Sequence, residues 1–262
     1  IFIKISRCDM KIALVVEYDG TNYKGFQYQS DFPTIQEEIE KAIHKFTGES
    51  LRVSGAGRTD AGVHALGQVV SFKTLTNHST DTIVNALNFY LPGDIAVKSA
   101  RMVDDRFDPR RCAISRKYRY TIVSSLTRSP LRVRTAFVMR GALDLNFGAM
   151  RTCIALLKGS HDFTRFAGKI EKGKSAYRKI YTASIESSVD TLIFDFEGSS
   201  FLPHQVRRMV GALVDVGRGN ILEIQFKAML KGAAGPSSRC LPAEGLCLVG
   251  VNYSEDVSKG EE

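Results

Sequence analysis

GAGRTDAGVH, residues 55–64, sets three glycines and two alanines around Arg58, Thr59 and Asp60. Small residues let a substrate approach the backbone closely, so the segment reads as a loop that receives a ligand. A dinucleotide fingerprint requires G-x-G-x-x-G, but Asp60 occupies the third glycine position, where its charge opposes a pyrophosphate. The loop also lacks the Gly-Lys-Ser/Thr of a Walker motif. An ionised aspartate in such a loop is suited to attack an electrophilic carbon. Arg58 either keeps that carboxylate charged, contacts phosphate, or fills the space left by a displaced base. Taken alone, Arg58 and Asp60 are equally a turn-stabilising ion pair.

Working outward, residues 51–54 and 68–73 read as strands on either side of the loop. Upstream, KIALVVEY (residues 11–18) is an apolar, β-branched run closed by Asp19-Gly20, a buried strand and turn. Thr34 and Glu37 form a capping box, after which Ile35, Ile39, Ile43 and Phe46 recur at helical spacing until Gly48. Downstream, a helix is expected over 81–90, ended by Leu91-Pro92-Gly93, and a strand over 94–103. The second half repeats the theme with strands at 117–123, 175–186, 191–197 and 246–253, and helices at 147–157, 202–216 and 221–231. Two α/β lobes follow, residues 10–108 and 109–254, with a boundary near 104–112 and a ligand-binding cleft between them. Met10 reads as the natural start, which makes residues 1–9 an upstream extension and residues 255–262 a second terminal one.

The composition suits a globular chain with a polyanionic partner. Hydrophobic residues are 44% and charged residues 24% of 262, and the net charge is +8. From Arg106 to Arg134 there are nine basic residues (Arg106, Arg110, Arg111, Arg116, Lys117, Arg119, Arg128, Arg132, Arg134) and one acidic, Asp108. A second stretch holds Arg165, Lys169, Lys172, Lys174, Arg178 and Lys179 around Glu171. Both could track a phosphate backbone, or be merely solvated faces. The five cysteines (Cys8, Cys112, Cys153, Cys240, Cys247) are odd in number with no Cys-x-x-Cys, which fits reduced thiols in the cytosol. No apolar run approaches the ~18 residues of a membrane span, and the start lacks a secretory core. The histidines (His44, His64, His78, His161, His204) form no H-E-x-x-H and lack cysteine companions, so no metal is expected, and the reaction read below calls for no cofactor.

The chain resembles the TruA family of tRNA pseudouridine synthases. GAGRTDAGVHA is similar to that family's signature. YDGTNYKGFQYQ (18–29), TIQEEIE (34–40), LPGDIAV (91–97), RKYRYTI (116–122), GSHDFTRF (159–166), FLPHQVRRMVGALVDVGRG (201–219) and PAEGLCLVGVNY (242–253) resemble its further blocks in order. The resemblance implies an α+β pseudouridine synthase fold: two α/β lobes with mainly antiparallel sheets, joined side by side about a basic cleft. It further implies that Asp60 is the catalytic aspartate, that Arg58 displaces the target base, that Tyr118 is the active-site tyrosine, and that Arg207 pairs with the aspartate. Leu246 resembles the apolar residue that packs against uracil. Arg116, Lys117, Arg119, Arg208 and His204 are expected at the substrate, although for His204 a structural role is equally in view.

The residues themselves are compatible with this. Tyr118, Tyr120 and Ile122 alternate with Lys117, Arg119 and Thr121, giving a strand with rings on one face and cations on the other. Leu202, Val206, Met209, Val210 and Leu213 form a buried helical stripe with Arg207 and Arg208 at its edge, and the spacing leaves either arginine as the partner of Asp60. Pro109 and Pro203 depart from the family pattern; Pro203 falls in the first turn of the expected helix, where proline is tolerated. The implied reaction breaks the C1′–N1 bond of uridine, turns the base and rejoins it through C5. Attack at C6, attack at C1′ and a glycal route all remain open for Asp60. The implied partner is the anticodon arm of tRNA, bound by a cytoplasmic homodimer. Two competing readings are a non-catalytic RNA-binding protein on the same fold and a glycoside-type hydrolase using Glu17, Asp19 or Glu197 as a second carboxylate.

Overall fold

The computed structural model describes residues 9–141, 144–233 and 238–254. Cys8 and the expected terminal extensions, apart from Asp9, lie outside the described residues. These form two units, one of residues 9–61, 65–114 and 250–254, the other of residues 62–64, 115–141, 144–233 and 238–249.

In the first unit the strand β1 (Met10–Tyr18) is followed by α1 (Ile35–Thr47), β2 (Ser54–Gly55), β3 (His64–Thr74), α2 (Thr80–Tyr90) and β4 (Ile95–Met102). β1 pairs antiparallel with both β3 and β4, and β2 pairs antiparallel with β3 over Ser54↔Ser71 and Gly55↔Val70. β3 is buried on both faces, so its apolar residues do not alternate strictly with polar ones. α1 starts where expected: the Thr34 side chain accepts from Glu37 N at 3.4 Å, and Gly48 ends the helix in the left-handed region at φ 76°. Ile35, Ile39, Ala42 and Ile43 form its buried stripe. The expected strand at 51–54 shrinks to two residues, since only Ser54 and Gly55 find partners before the glycine loop.

The second unit contains β5 (Ala113–Ser125), β6 (Phe137–Arg140), α3 (Phe147–Ala155), β7 (Gly159–Asp162), β8 (Tyr177–Ser187), β9 (Thr191–Gly198), α4 (Gln205–Gly217), α5 (Glu223–Met229) and β10 (Leu246–Tyr253). β9 pairs antiparallel with β5 and β8, β7 pairs antiparallel with β8, and β6 lies parallel to β5. The layout is α+β with mainly antiparallel pairing, although β6 and β7, four residues each, were not expected. α4 is the central helix, with ten of its thirteen residues buried. It begins at Gln205 and not at Leu202, so Pro203 stands outside the helix instead of in its first turn. Membership also differs from the expected division at 108/109. Tyr253 donates its hydroxyl to Pro109 O at 2.7 Å and packs its ring 5.2 Å from that of Phe107, which draws 109–114 and the end of β10 into the first unit.

Among the described residues no helix is long and apolar enough to cross a membrane, and no group of three or more His, Cys, Asp or Glu could hold a metal ion. The sequence does carry a Gly-x4-Gly-Lys-Ser string outside the signature loop, in GKIEKGKS (168–175). It runs into β8 and not into a helix, so it lacks the helix N-terminus that makes such a string a phosphate loop.

Candidate active site

The segment before Asp60 is fastened at Ala56, Gly57 and Thr59. Ala56 N donates to Val69 O at 2.8 Å. The side chain of Gln68, fully buried in β3, clamps Gly57 both ways, accepting from its N at 3.2 Å and donating to its O at 2.8 Å. Thr59 is buried, with its hydroxyl 2.8 Å from that of Tyr18, and its carbonyl accepts from Phe26 N at 3.1 Å. Gly25 permits that last bond: its φ is 97°, and a Cβ there would lie 2.7 Å from Thr59 O. Asp60 follows this anchored stretch and is half-buried, while Arg58 is exposed and lines a cavity of about 230 Å³ with Phe26, Ser54, Asp108 and Arg110. Sequence reasoning missed Gln68, Tyr18 and Gly25 as positioning residues. The available signal was a glutamine interrupting the apolar run that becomes β3.

In the second unit β5 alternates as its sequence requires: Tyr118, Tyr120 and Ile122 are buried, Lys117 and Arg119 exposed. The Tyr118 ring meets Phe201 edge-on at 5.2 Å. Tyr120 donates its hydroxyl to Pro242 O at 2.8 Å, and burial pushes that phenol well above its ordinary pKa, leaving it a structural group. Gly245 lies where a Cβ would be 2.6 Å from the Tyr120 ring, and the next residue, Leu246, is buried. Gly62, two residues past Asp60, packs against Ala243, where a Cβ would approach the alanine methyl to 3.2 Å.

Both candidate arginines of α4 hold the main chain of the segment that follows. Arg207 donates from Nε to Leu241 O at 2.7 Å, and Arg208 from Nη1 to Ser238 O at 2.8 Å. Gly211 admits that segment against the helix, since a Cβ there would stand 2.0 Å from Arg239 O. His204 caps α4 with φ 61°, the one non-glycine residue with positive φ among those described, a costly conformation that the surroundings must enforce. Its ring closes on Gly168, whose Cβ would lie 3.0 Å from Nδ1.

The three cationic residues of β5 are placed differently from one another. Arg116 is 8% exposed and donates from Nη1 to Ser199 O at 2.8 Å, so it builds structure. Lys117 lies 3.7 Å from Glu197, and Arg119 forms a two-pronged pair with Asp195 at 2.9 Å on each prong.

A chain that carries an aspartate after an anchored glycine loop in one unit, and a tyrosine strand and an arginine helix in the other, has the make-up of an RNA-modifying enzyme of the pseudouridine synthase class. The sequence profile described as tRNA pseudouridine synthase matches residues 14–110 and 153–254, and the chain belongs to that family. It is 40% identical to tRNA pseudouridine synthase A of Geotalea daltonii over 92% of this chain and 99% of that one. It is 41% identical to tRNA pseudouridine synthase A of Blochmanniella pennsylvanica over 95% of each. Among solved structures, a chain of the archaeal box H/ACA sRNP Nop10-Cbf5 complex aligns at a TM-score of 0.34 with 11% identity, covering 78% of this chain and 43% of that one, and carries no argument.

Proposed function

We propose that this protein isomerises uridine to pseudouridine in transfer RNA, with Asp60 as the catalytic carboxylate. The observation that carries the reading is the anchored loop. Gly57 and Thr59 are fixed by Gln68, Tyr18 and Phe26, so the half-buried carboxylate that follows is presented on a rigid backbone. Rigid placement of a reacting group removes entropy from the barrier before substrate arrives.

In this reading the C1′–N1 bond breaks, the freed base turns, C1′ joins C5, and the C5 proton is lost while N1 gains one, so atoms and charge balance with no redox step. The target base leaves its stack first, with Arg58 occupying the space it vacates. Tyr118 packs on uracil and takes part in removing the C5 proton, and Leu246 covers the other side of the base. Arg207 is the arginine that the family resemblance pairs with the aspartate, and its guanidinium is held by the Leu241 carbonyl that accepts from Nε. Arg208 serves phosphate, Lys117 and Arg119 line the approach of the substrate while matched by Glu197 and Asp195, and His204 and Arg116 support that approach. Resemblance to the family supports three finer elements: target uridines in the anticodon stem-loop, a homodimeric working form and a cytoplasmic location.

The test is to incubate the protein with uridine-labelled tRNA, digest it and look for pseudouridine, comparing Asp60→Ala. Product from the wild type and a loss of about a thousand-fold or more in Asp60→Ala, with tRNA binding retained, is expected. Equal product from both removes Asp60 from the chemistry. Free uracil would indicate a hydrolase, and binding without product an RNA-binding protein.

A further inference from the structure

We infer that the outer face of β8 is a stacking platform for a single-stranded segment of the RNA substrate, built from Tyr177, Lys179 and Tyr181. The inference rests on the reading that the protein acts on RNA. Tyr177 and Lys179, alternate residues of the strand, share a face, and the approach of Lys179 to the Tyr181 ring brings the second ring to the same side. Both rings are open to solvent, Tyr177 at 64% and Tyr181 at 39%. Lys179 Nζ sits 5.6 Å from the Tyr181 ring centroid, which places a phosphate-binding charge beside a base-binding surface.

The second ring is held out by a built device. Pairing of β8 with β9 shifts register between Ile180 and Thr182, so Tyr181 is the extra residue of a β-bulge. The Lys179 carbonyl accepts from Ser199 N at 2.9 Å and Ser199 Oγ at 3.4 Å, and the Ser199 carbonyl is in turn held by Arg116. Gly198 has to be glycine here, because a Cβ would lie 2.9 Å from Lys179 O and 3.0 Å from the Ile180 side chain. Bulges re-aim side chains, and this one turns a tyrosine into water at a cost that a binding partner repays.

The partner's chemistry is indicated by what surrounds the rings. Ser160, opposite Lys179 in the register, and Thr182 beyond the bulge are exposed and polar, so the apolar centre that a protein interface needs is missing. The loop leading into β8 adds exposed Lys169 and Lys172, while its Lys174 is occupied by Glu171. Aromatic faces interleaved with lysines suit unpaired bases and their phosphates.

The chain has no tryptophan, so Tyr177→Trp or Tyr181→Trp introduces a single fluorescent reporter. Titration of either full-length variant with substrate tRNA should quench its emission at the concentration where tRNA binds. Tyr177→Ala and Tyr181→Ala should each weaken tRNA binding roughly five-fold or more, while Tyr→Phe at either site stays within about two-fold. Lys179→Ala should reduce the slope of log affinity against log salt by about 0.7. Thermal midpoints of the alanine variants should match the wild type, and turnover at saturating tRNA should be unchanged. Unquenched emission together with wild-type affinity in both alanine variants would overturn the platform. Alanine variants that change only the self-association of the chain would reassign this face to a protein contact. The wild type run alongside separates the two levels: pseudouridine formed with indifferent variants defeats the platform alone, whereas no tRNA binding by the wild type defeats the reading beneath it as well.

Discussion

Gln68 shows how one side chain fixes a loop backbone several residues away. Its amide accepts from Gly57 N and donates to Gly57 O, and the side chain is fully buried. Gln68→Leu keeps the volume but leaves the part-buried N–H and C=O of Gly57 without that partner, which should cost roughly 1 kcal/mol. If the clamp positions Asp60, turnover should fall more than KM rises, and the thermal midpoint should drop by a few degrees. A variant with lower stability but wild-type kcat would reduce Gln68 to a packing residue. Gly25→Ala attacks the same loop from the other side, since its methyl has no room beside Thr59 O, and it should lower kcat as well. Cys153 illustrates the opposite case, a reactive group kept inert. It is buried, and burial pushes its thiol up to about 11, so at pH 8 it stays protonated. Counting accessible thiols with a disulfide reagent at that pH should give the same number for the wild type and Cys153→Ser when folded, and one fewer for Cys153→Ser when denatured.

The elements that the sequence announces most clearly are those whose signal is local. α1 carries its own start, stripe and stop in Thr34, the isoleucines and Gly48, and β10 runs from Leu246 to Tyr253 as expected. β6 and β7 were missed because four residues are too few for an alternation to show, and their pairing depends on distant partners. The start of α4 was placed three residues early because Leu202 continues the apolar stripe, whereas the left-handed His204 breaks the backbone after it. For the proposed site, Asp60, Tyr118 and Arg207 are named by the family resemblance of the blocks that hold them. The clamp by Gln68 and the role of Arg116 did not, because a glutamine and an arginine inside strands read as surface residues until their partners are known. The cap of α1 gives an element-scale prediction. Thr34 is fully buried and satisfies Glu37 N, so Thr34→Ala should lower unfolding free energy by about 1 kcal/mol in a denaturant titration, with catalysis unaffected.

Charge acts at the scale of the whole molecule, and the net +8 overstates what is open to RNA. Of the cations between residues 106 and 134, Arg106 faces Asp104, Arg111 faces Asp108, Lys117 faces Glu197 and Arg119 faces Asp195. Arg116 is buried on a carbonyl. Arg128, Arg132 and Arg134 differ: they are exposed, on the stretch between β5 and β6 where Leu131 is also 94% open. Counterion release is proportional to the phosphates that cations newly neutralise, so a cation already matched by a carboxylate contributes little to the salt dependence. The triple variant Arg128→Ala, Arg132→Ala, Arg134→Ala should therefore flatten the plot of log affinity for tRNA against log salt by about 2. Removing the Arg119–Asp195 pair together, as Arg119→Ala with Asp195→Ala, should leave the slope where it was. Filter binding at four or five salt concentrations decides the matter. A slope that falls with the double variant and not with the triple would mean that RNA strips the β5 cations from their acids, and that the exposed arginines face something else.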